Sequence, residues 1–152
     1  MKKLMLLSLL TFLIAGHGYS QSHQSHPEFQ VSVQGQGPDL FFIPGLANSG
    51  KIWEETVAAF SDRYTCHVFT LAGFVDAPPI SAEQRMPQIK KALTAYIHQH
   101  SKKDAVVIGH SMGGFYAMWM ASETPDLFEK VIIMDAFPFL AGVSQPDRSE
   151  ER

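Results

Sequence analysis

The run Gly109-His110-Ser111-Met112-Gly113 constrains the fold of this chain more than any other feature. It is a G-x-S-x-G motif that directly follows the apolar run Ala105 to Ile108 and directly precedes a helix-like run, Gly114 to Ala121. A serine between a buried strand and a helix sits on a sharp, strained turn, and neighbouring elements pack too closely for a Cβ at the flanking glycines. The sequence therefore predicts a nucleophile at Ser111.

Strand-like and helix-like segments alternate along the rest of the chain. Continuous apolar runs indicate strands buried on both faces, and their alternation with helices is typical of a mostly parallel sheet with helices on both faces. Ser81 and Gln84 form a capping box that opens one of these helices. The predicted fold class is therefore α/β. Strands are expected at 29–34, 40–43, 64–71, 104–109 and 131–134, with helices at 48–62, 81–100 and from the G-x-S-x-G motif to about 124.

The composition of the chain fits one globular domain, and the positions of its histidines indicate no metal site. The chain has 152 residues, 45% hydrophobic and 18% charged, and its net charge of −3 gives no basic field for nucleic acid. Its seven histidines are scattered, whereas a metal site needs three or four converging ligands. We therefore expect no metal and no cofactor. The single cysteine, Cys66, falls in a predicted buried strand, where it behaves as a small hydrophobe.

The first twenty residues have the pattern of a secretory signal peptide. Lys2 and Lys3 precede an apolar stretch, Leu4 to Ala15, which is too short to span a bilayer, and small residues up to Ser20 follow it. We expect cleavage after Ser20 and export to the periplasm or the medium, without a stable membrane anchor; a buried N-terminal helix is the alternative. The expected organisation is a signal peptide at 1–20, a flexible polar lead-in at 21–28 and the domain at 29–152.

A second loop lies where backbone groups that assist the nucleophile would be needed. Pro44-Gly45-Leu46-Ala47 follows an earlier buried strand and opens a helix. Backbone N–H groups at such a point can face the nucleophile and, with the N–H of Met112, form an oxyanion hole. The alternative is a plain turn that ends the strand.

Together these segments resemble the α/β-hydrolase superfamily, in particular its single-domain esterase and carboxylesterase-like branch. The resemblance implies that Ser111 is the nucleophile, that the N–H groups of Leu46 and Met112 form the oxyanion hole, and that the substrate is a small acyl compound. His110 fills the variable position of the motif and is expected to pack rather than to act as the base. The matching segments are 40–45, Trp53, 70–74, 109–114 and 131–135.

The chain departs from the family pattern at its catalytic partners. Pro44 stands where the family often has histidine. The family often has an aspartate before the loop that carries Gly73, whereas this chain reads Thr70-Leu71-Ala72 there. The family order is serine, acid, then histidine, but no histidine follows His110 in this sequence. Asp135 is the candidate acid, with a capping role as the alternative.

Three functional interpretations remain open from the sequence. The first is an exported serine hydrolase acting on an ester or related acyl bond, present here as an incomplete chain. The second is an inactive hydrolase fragment or a binding module, because an unaided serine hydroxyl is a weak nucleophile. The third is an acyltransferase with the same fold. The apolar strand Val131 to Met134 contains no charge or proline to guard an exposed edge, so we expect another strand beside it.

Overall fold

A computed structural model describes residues 21–75, 77–81, 83, 85–101 and 103–137. The predicted signal peptide and the residues after Phe137 lie outside this part of the chain, as does Gln84 of the expected capping box. The strands are β1 (Ser22–Ser25), β2 (Phe29–Gly35), β3 (Asp39–Ile43), β4 (Thr65–Leu71), β5 (Ala105–His110) and β6 (Phe128–Met134). The helices are α1 (Glu54–Phe60), α2 (Arg85–His100) and α3 (Met112–Glu123), with 3₁₀ turns at Gly50–Trp53 and Pro125–Leu127.

The strands form one sheet in the order β1-β2-β4-β3-β5-β6. β3 is parallel to both β4 and β5, and β5 is parallel to β6, whereas β2 pairs antiparallel with both β1 and β4. The predicted mostly parallel α/β sheet is confirmed. Because parallel strands end at the same edge, the residues that follow β3, β5 and β6 meet at one edge of the molecule.

Helices cover both faces of the sheet, as predicted. Alternate residues of β3 show the division: Phe41 and Ile43 pack in the cluster with α2 and α3, whereas Leu40 and Phe42 pack in the cluster with Trp53 and α1. The larger cluster contains Phe69, Leu93, Tyr116 and Met120, all nearly inaccessible to solvent. Ser49 caps the first helical turn by accepting a hydrogen bond from the Lys51 N–H at 3.3 Å.

Several elements differ from the sequence expectation, including α2, which begins at Arg85 rather than at position 81. The segment 21–28 was expected to be a flexible lead-in, but Ser22–Ser25 forms a strand that pairs antiparallel with β2. Its side chains are all exposed, so no apolar pattern marks it, and pairing of backbone groups with the β2 edge is what orders it. β6 begins at Phe128, three residues before the expected start, because Phe128 and Lys130 pair with β5 around a register shift.

β6 lies at the edge of the described sheet. Its last three side chains are unusually exposed for apolar residues: Ile132 is 47% exposed, Ile133 41% and Met134 45%. Across the part of the chain that the structure describes, no helix has both the length and the apolar composition needed to cross a bilayer.

Candidate active site

Ser111 occupies a strained turn between β5 and α3. Its φ of 52° and ψ of −118° lie outside the regions that L-residues normally adopt. The Ser111 N–H donates to the Met134 carbonyl at 2.8 Å, and the Ser111 carbonyl accepts from the Phe115 N–H at 3.0 Å. The end of β6 and the first turn of α3 thus hold the strained backbone in place, as expected at a functional turn.

The two glycines of the motif are required by close backbone packing. A Cβ at Gly109 would lie 2.4 Å from the Gly113 carbonyl oxygen, and a Cβ at Gly113 would lie 2.2 Å from the carbonyl oxygen of Ile43. Neither contact can be relieved by turning a side chain, since both involve backbone atoms. The start of α3 therefore packs directly on the end of β3, which brings the loop after β3 close to Ser111.

The loop after β3 lies against Ser111. A Cβ at Gly45 would lie 3.1 Å from the Ser111 Cβ. The Asn48 N–H donates to the Gly45 carbonyl at 3.3 Å, and the Asn48 Nδ2 donates to the Leu46 carbonyl at 3.2 Å. Ala47 adopts a φ of 59°, so this short loop is also strained.

Two backbone donors at this edge have no acceptor. Among the described residues, neither the Leu46 N–H nor the Met112 N–H makes a hydrogen bond. One N–H follows β3 and the other opens α3, and the packing of Gly113 on Ile43 brings these two segments together. Unpaired N–H groups beside a serine are what stabilisation of a developing oxyanion requires.

His110 and Asp135 lie next to this turn but do not reach the serine hydroxyl. The His110 ring packs on Gly45, and its Nε2 is 4.0 Å from the Asp135 Oδ2. The His110 Nδ1 is buried without a hydrogen-bond partner in the described part of the chain. The Asp135 side chain is 90% exposed, and its φ is 49°. The structure thus places Gly45, which precedes Leu46, against Ser111, and places Asp135 beside His110.

The described histidines supply no imidazole for Ser111. None of them makes a hydrogen bond with the serine in this structure. The most buried one, His67, instead bonds to Asp39 Oδ1 through Nε2 and to the Tyr96 hydroxyl through Nδ1, both at 2.9 Å. Burial lowers the pKa of His67, although its bond to Asp39 opposes this shift.

The cluster of Asp39, His67 and Tyr96 was missed by the sequence reasoning. Its members lie on β3, β4 and α2 and are separated by 28 and 29 positions along the chain. One signal was available in the sequence: His67 occupies an inward position of a predicted strand, between apolar residues. A buried polar group needs hydrogen-bond partners, so such a histidine indicates a polar cluster. Asp39 starts β3 and His67 lies near the start of β4, so the cluster is at the edge opposite Ser111.

A pocket of about 410 Å³ adjoins the unpaired N–H groups. A larger groove, of about 580 Å³, lies between α1 and the sheet and includes no residue of the G-x-S-x-G motif. The smaller pocket is the relevant one, because it contacts both Leu46 and Met112. Its walls are mainly apolar and are formed by Leu46, Phe74, Arg85, Met86, Pro87, Ile89, Met112 and Tyr116.

No alternative reactive centre emerges from the described residues. Within them, no group of three or more histidine, cysteine or acidic side chains is arranged to hold a metal ion. Cys66 is buried, and burial raises its pKa to about 11, so the thiol is protonated at neutral pH. A thiol in that state is a poor nucleophile.

Comparison with known families agrees with this architecture. The family model described as the alpha/beta hydrolase fold matches residues 38–149, which include both β3 and the Ser111 turn. The chain belongs to the α/β-hydrolase family.

Similar curated proteins include two bacterial enzymes of one kind. The pimeloyl-[acyl-carrier protein] methyl ester esterase of Vibrio cholerae is 32% identical over 109 residues, which cover 72% of this chain and 41% of that protein. The esterase of the same name from Vibrio atlanticus is 32% identical over 114 residues, covering 75% of this chain and 42% of its own length. The chain thus spans about two fifths of the length of these relatives.

Solved structures share the fold while carrying different functional names. A marine microorganism esterase superposes with a TM-score of 0.67 at 24% identity, covering 82% of this chain and 48% of that one. An N-acyl homoserine lactonase, AidH, superposes with a TM-score of 0.68 at 21% identity, covering 84% and 49%. At this level of identity, the likeness shows the fold alone.

Proposed function

We propose that the protein is a serine hydrolase that cleaves an ester of a small acyl group through an acyl-enzyme at Ser111. The observation that carries this proposal is the strained Ser111 turn facing a loop that, with α3, offers two unpaired N–H groups. The esterase relatives support an ester as the bond that is cleaved. The apolar pocket beside Leu46 and Met112 supports an acyl chain as the group that is bound.

In this mechanism, the Ser111 Oγ forms a bond to the ester carbonyl carbon. The carbonyl oxygen becomes an oxyanion that accepts hydrogen bonds from the N–H groups of Leu46 and Met112. The ester C–O bond then breaks, and the alcohol leaves with the proton that came from Ser111. Water attacks the acyl-enzyme, releases the acid and restores the serine hydroxyl.

The proton transfers need a base, which the described residues do not provide. An imidazole is the usual base, but His110 packs on Gly45, and His67 is bonded to Asp39 and Tyr96. An acid such as Asp135 acts through a histidine that contacts the serine. Asp135 contacts neither Ser111 nor such a histidine, and among the described residues its carboxylate accepts no hydrogen bond that would cap a helix or loop. The proposal therefore includes a base from elsewhere in the protein.

A fluorophosphonate probe tests the role of Ser111 in the full-length protein. We expect one labelled site, lost on Ser111→Ala because the attacking oxygen is removed. The matched control is Ser122→Ala on α3, whose hydroxyl only bonds to the Trp119 carbonyl, and this variant should label normally. Labelling that persists in Ser111→Ala would contradict the assignment.

A non-catalytic role is the second candidate. It is favoured by the absence of any imidazole bonded to Ser111 in the described part of the chain. The measurement is hydrolysis of short p-nitrophenyl esters by the 152-residue chain alone, for which we expect a rate near that of buffer. Hydrolysis that Ser111→Ala abolishes would show that this chain supplies its own base.

We also propose that the protein is exported. The support is the charge, apolar and small-residue order of positions 1–20. Expression in a bacterial host, followed by fractionation and N-terminal sequencing, should give a mature protein outside the cytoplasm that begins at Gln21. Recovery of the intact chain, still starting at Met1, from the cytoplasm would contradict this proposal.

A further inference from the structure

We propose that Arg85 is a specificity-determining residue that binds a carboxylate carried by the ester substrate. The preferred substrate class would then be esters that bear a carboxylate a few carbon atoms from the scissile bond. This inference rests on the function proposed for Ser111, because Arg85 lines the pocket that Leu46 and Met112 also line.

The charge of the pocket points to an anionic ligand. Arg85 is the one charged side chain among the described residues that line it. Apart from Tyr116, the other lining residues are apolar. A guanidinium in such surroundings loses part of its hydration and regains it only through an acceptor, of which a carboxylate is the best matched.

No ion pair among the described residues explains why an arginine occupies position 85. It is the first residue of α2, where the partial positive charge of the helix end disfavours a cation. None of the ion pairs formed by the described residues includes Arg85. Its Nη1 would lie 3.2 Å from a Cβ at Gly73, so the guanidinium rests over a glycine.

Tyr116 supplies a second polar group near the guanidinium. Its ring is 1% exposed, and burial raises the pKa of its hydroxyl to about 12, while the positive charge of Arg85 acts in the opposite direction. The Arg85 charge is therefore close enough to influence the pKa of the Tyr116 hydroxyl. Tyr116 lies on α3, five positions after Ser111, so one helix joins the Ser111 turn to Tyr116.

The two side chains suit a carboxylate. Arg85 presents a planar set of N–H donors that can bind both oxygens of a carboxylate, and the protonated Tyr116 hydroxyl can donate a further hydrogen bond. The apolar walls would contact the intervening carbon chain. A neutral ester of the same length would fill those walls but leave the guanidinium without an acceptor, so the pocket should discriminate by charge.

The test measures binding without turnover. In the Ser111→Ala background, isothermal titration calorimetry compares monomethyl adipate with dimethyl adipate, its neutral counterpart. We expect the monoanion to bind about tenfold or more tightly, which is the scale of a hydrogen bond to a charged group. Arg85→Gln should reduce this ratio to about one without weakening the neutral ester, and Arg85→Lys should retain part of it.

A matched control excludes a general charge effect. Lys90→Gln removes the same charge from the same helix, but Lys90 pairs with Glu123 away from the pocket. It should leave the ratio unchanged. The isomer 4-(propanoyloxy)butanoate carries its carboxylate on the alcohol side, so an Arg85-dependent preference for one isomer shows which side of the ester enters the pocket.

Each outcome decides the proposal. A preference for both isomers that survives Arg85→Gln, or no preference for either anion over the neutral ester, would overturn it. These outcomes are separate from the fate of the proposed function. Labelling of Ser111 without charge selectivity would refute only the role of Arg85, whereas charge-selective binding without labelling would keep that role and remove the hydrolase.

Discussion

The two edges of the parallel sheet carry polar clusters of opposite character. At the carboxyl edge, Ser111 is strained and lies beside backbone donors that have no acceptor among the described residues. At the amino edge, both nitrogens of His67 are occupied by Asp39 and Tyr96, and the imidazole is almost inaccessible to solvent. Judged by residue types alone, the Asp39–His67 pair would be chosen as the reactive centre. However, the groups of this cluster already use their hydrogen-bonding capacity on one another. Unsatisfied donors and strain mark the edge that can act on a ligand.

The largest effect should come from filling the close contact that shapes the carboxyl edge. In Gly113→Val, the new side chain would overlap the Ile43 carbonyl and force α3 away from β3. We expect a loss of at least about 3 kcal/mol in the free energy of unfolding, measured by urea denaturation. Ser122→Ala, on the exposed side of α3, should change it little, and a stable Gly113→Val variant would contradict the packing described.

A second substitution tests whether the amino edge is purely structural. His67→Leu leaves the buried Tyr96 hydroxyl and Asp39 without their shared partner. We expect a loss of about 2 kcal/mol in unfolding free energy with no change in fluorophosphonate labelling of the folded fraction. His98→Leu, at an exposed position of α2, serves as the control. Loss of labelling with stability retained would mean that the two edges are coupled.

Replacing Ser111 with glycine should relieve backbone strain and stabilise the fold. Ser111→Gly relieves the positive φ, whereas Ser111→Ala keeps it, and both remove the hydroxyl. We expect the glycine variant to exceed the alanine variant by about 1 kcal/mol in unfolding free energy. Neither variant should react with the probe. Equal stability of the two variants would show that the turn stores no strain.

The buried histidine should also make stability depend on pH. Its pKa is lowered in the folded state, chiefly by burial, so below its ordinary value of 6.5 the unfolded chain binds the proton more readily. The contribution of His67 is therefore complete above about pH 6.5 and declines as the pH falls towards the lowered pKa. Melting temperatures between about pH 8 and 5 should fall more steeply for the wild type than for His67→Gln, and parallel curves would contradict this origin.

The smallest effect is expected at Asp135. Its carboxylate is exposed and 4.0 Å from the His110 ring, so Asp135→Asn should alter unfolding free energy by less than about 0.5 kcal/mol. Labelling of Ser111 should be unchanged as well, because the Asp135 carboxylate does not contact the serine. A large drop in labelling rate would restore Asp135 as the catalytic acid and would require a histidine to join it to Ser111.

The features that the sequence predicts correctly are those encoded locally. The strained Ser111 turn and the close packing at its two glycines each depend on a few consecutive residues. The mostly parallel sheet follows from apolar strands that alternate with helices. These predictions needed no knowledge of which residues meet across the fold.

The features that it misses depend on pairing between distant segments. β1 is polar and exposed, and only the free edge of β2 makes it a strand. The start of β6 is set by its register with β5, and the His67 cluster joins residues from three elements. Such contacts arise when the sheet assembles, so the linear pattern of residue types does not reveal them.

The exposed outer strand has a consequence for handling the protein. Ile132, Ile133 and Met134 combine high β-propensity with exposure on β6, and no strand of the described sheet covers its outer edge. Such an edge is a template for backbone pairing between molecules, which grows with concentration. Samples of this chain should therefore lose monomer as they are concentrated, and light scattering would reveal assembly well before any loss of secondary structure.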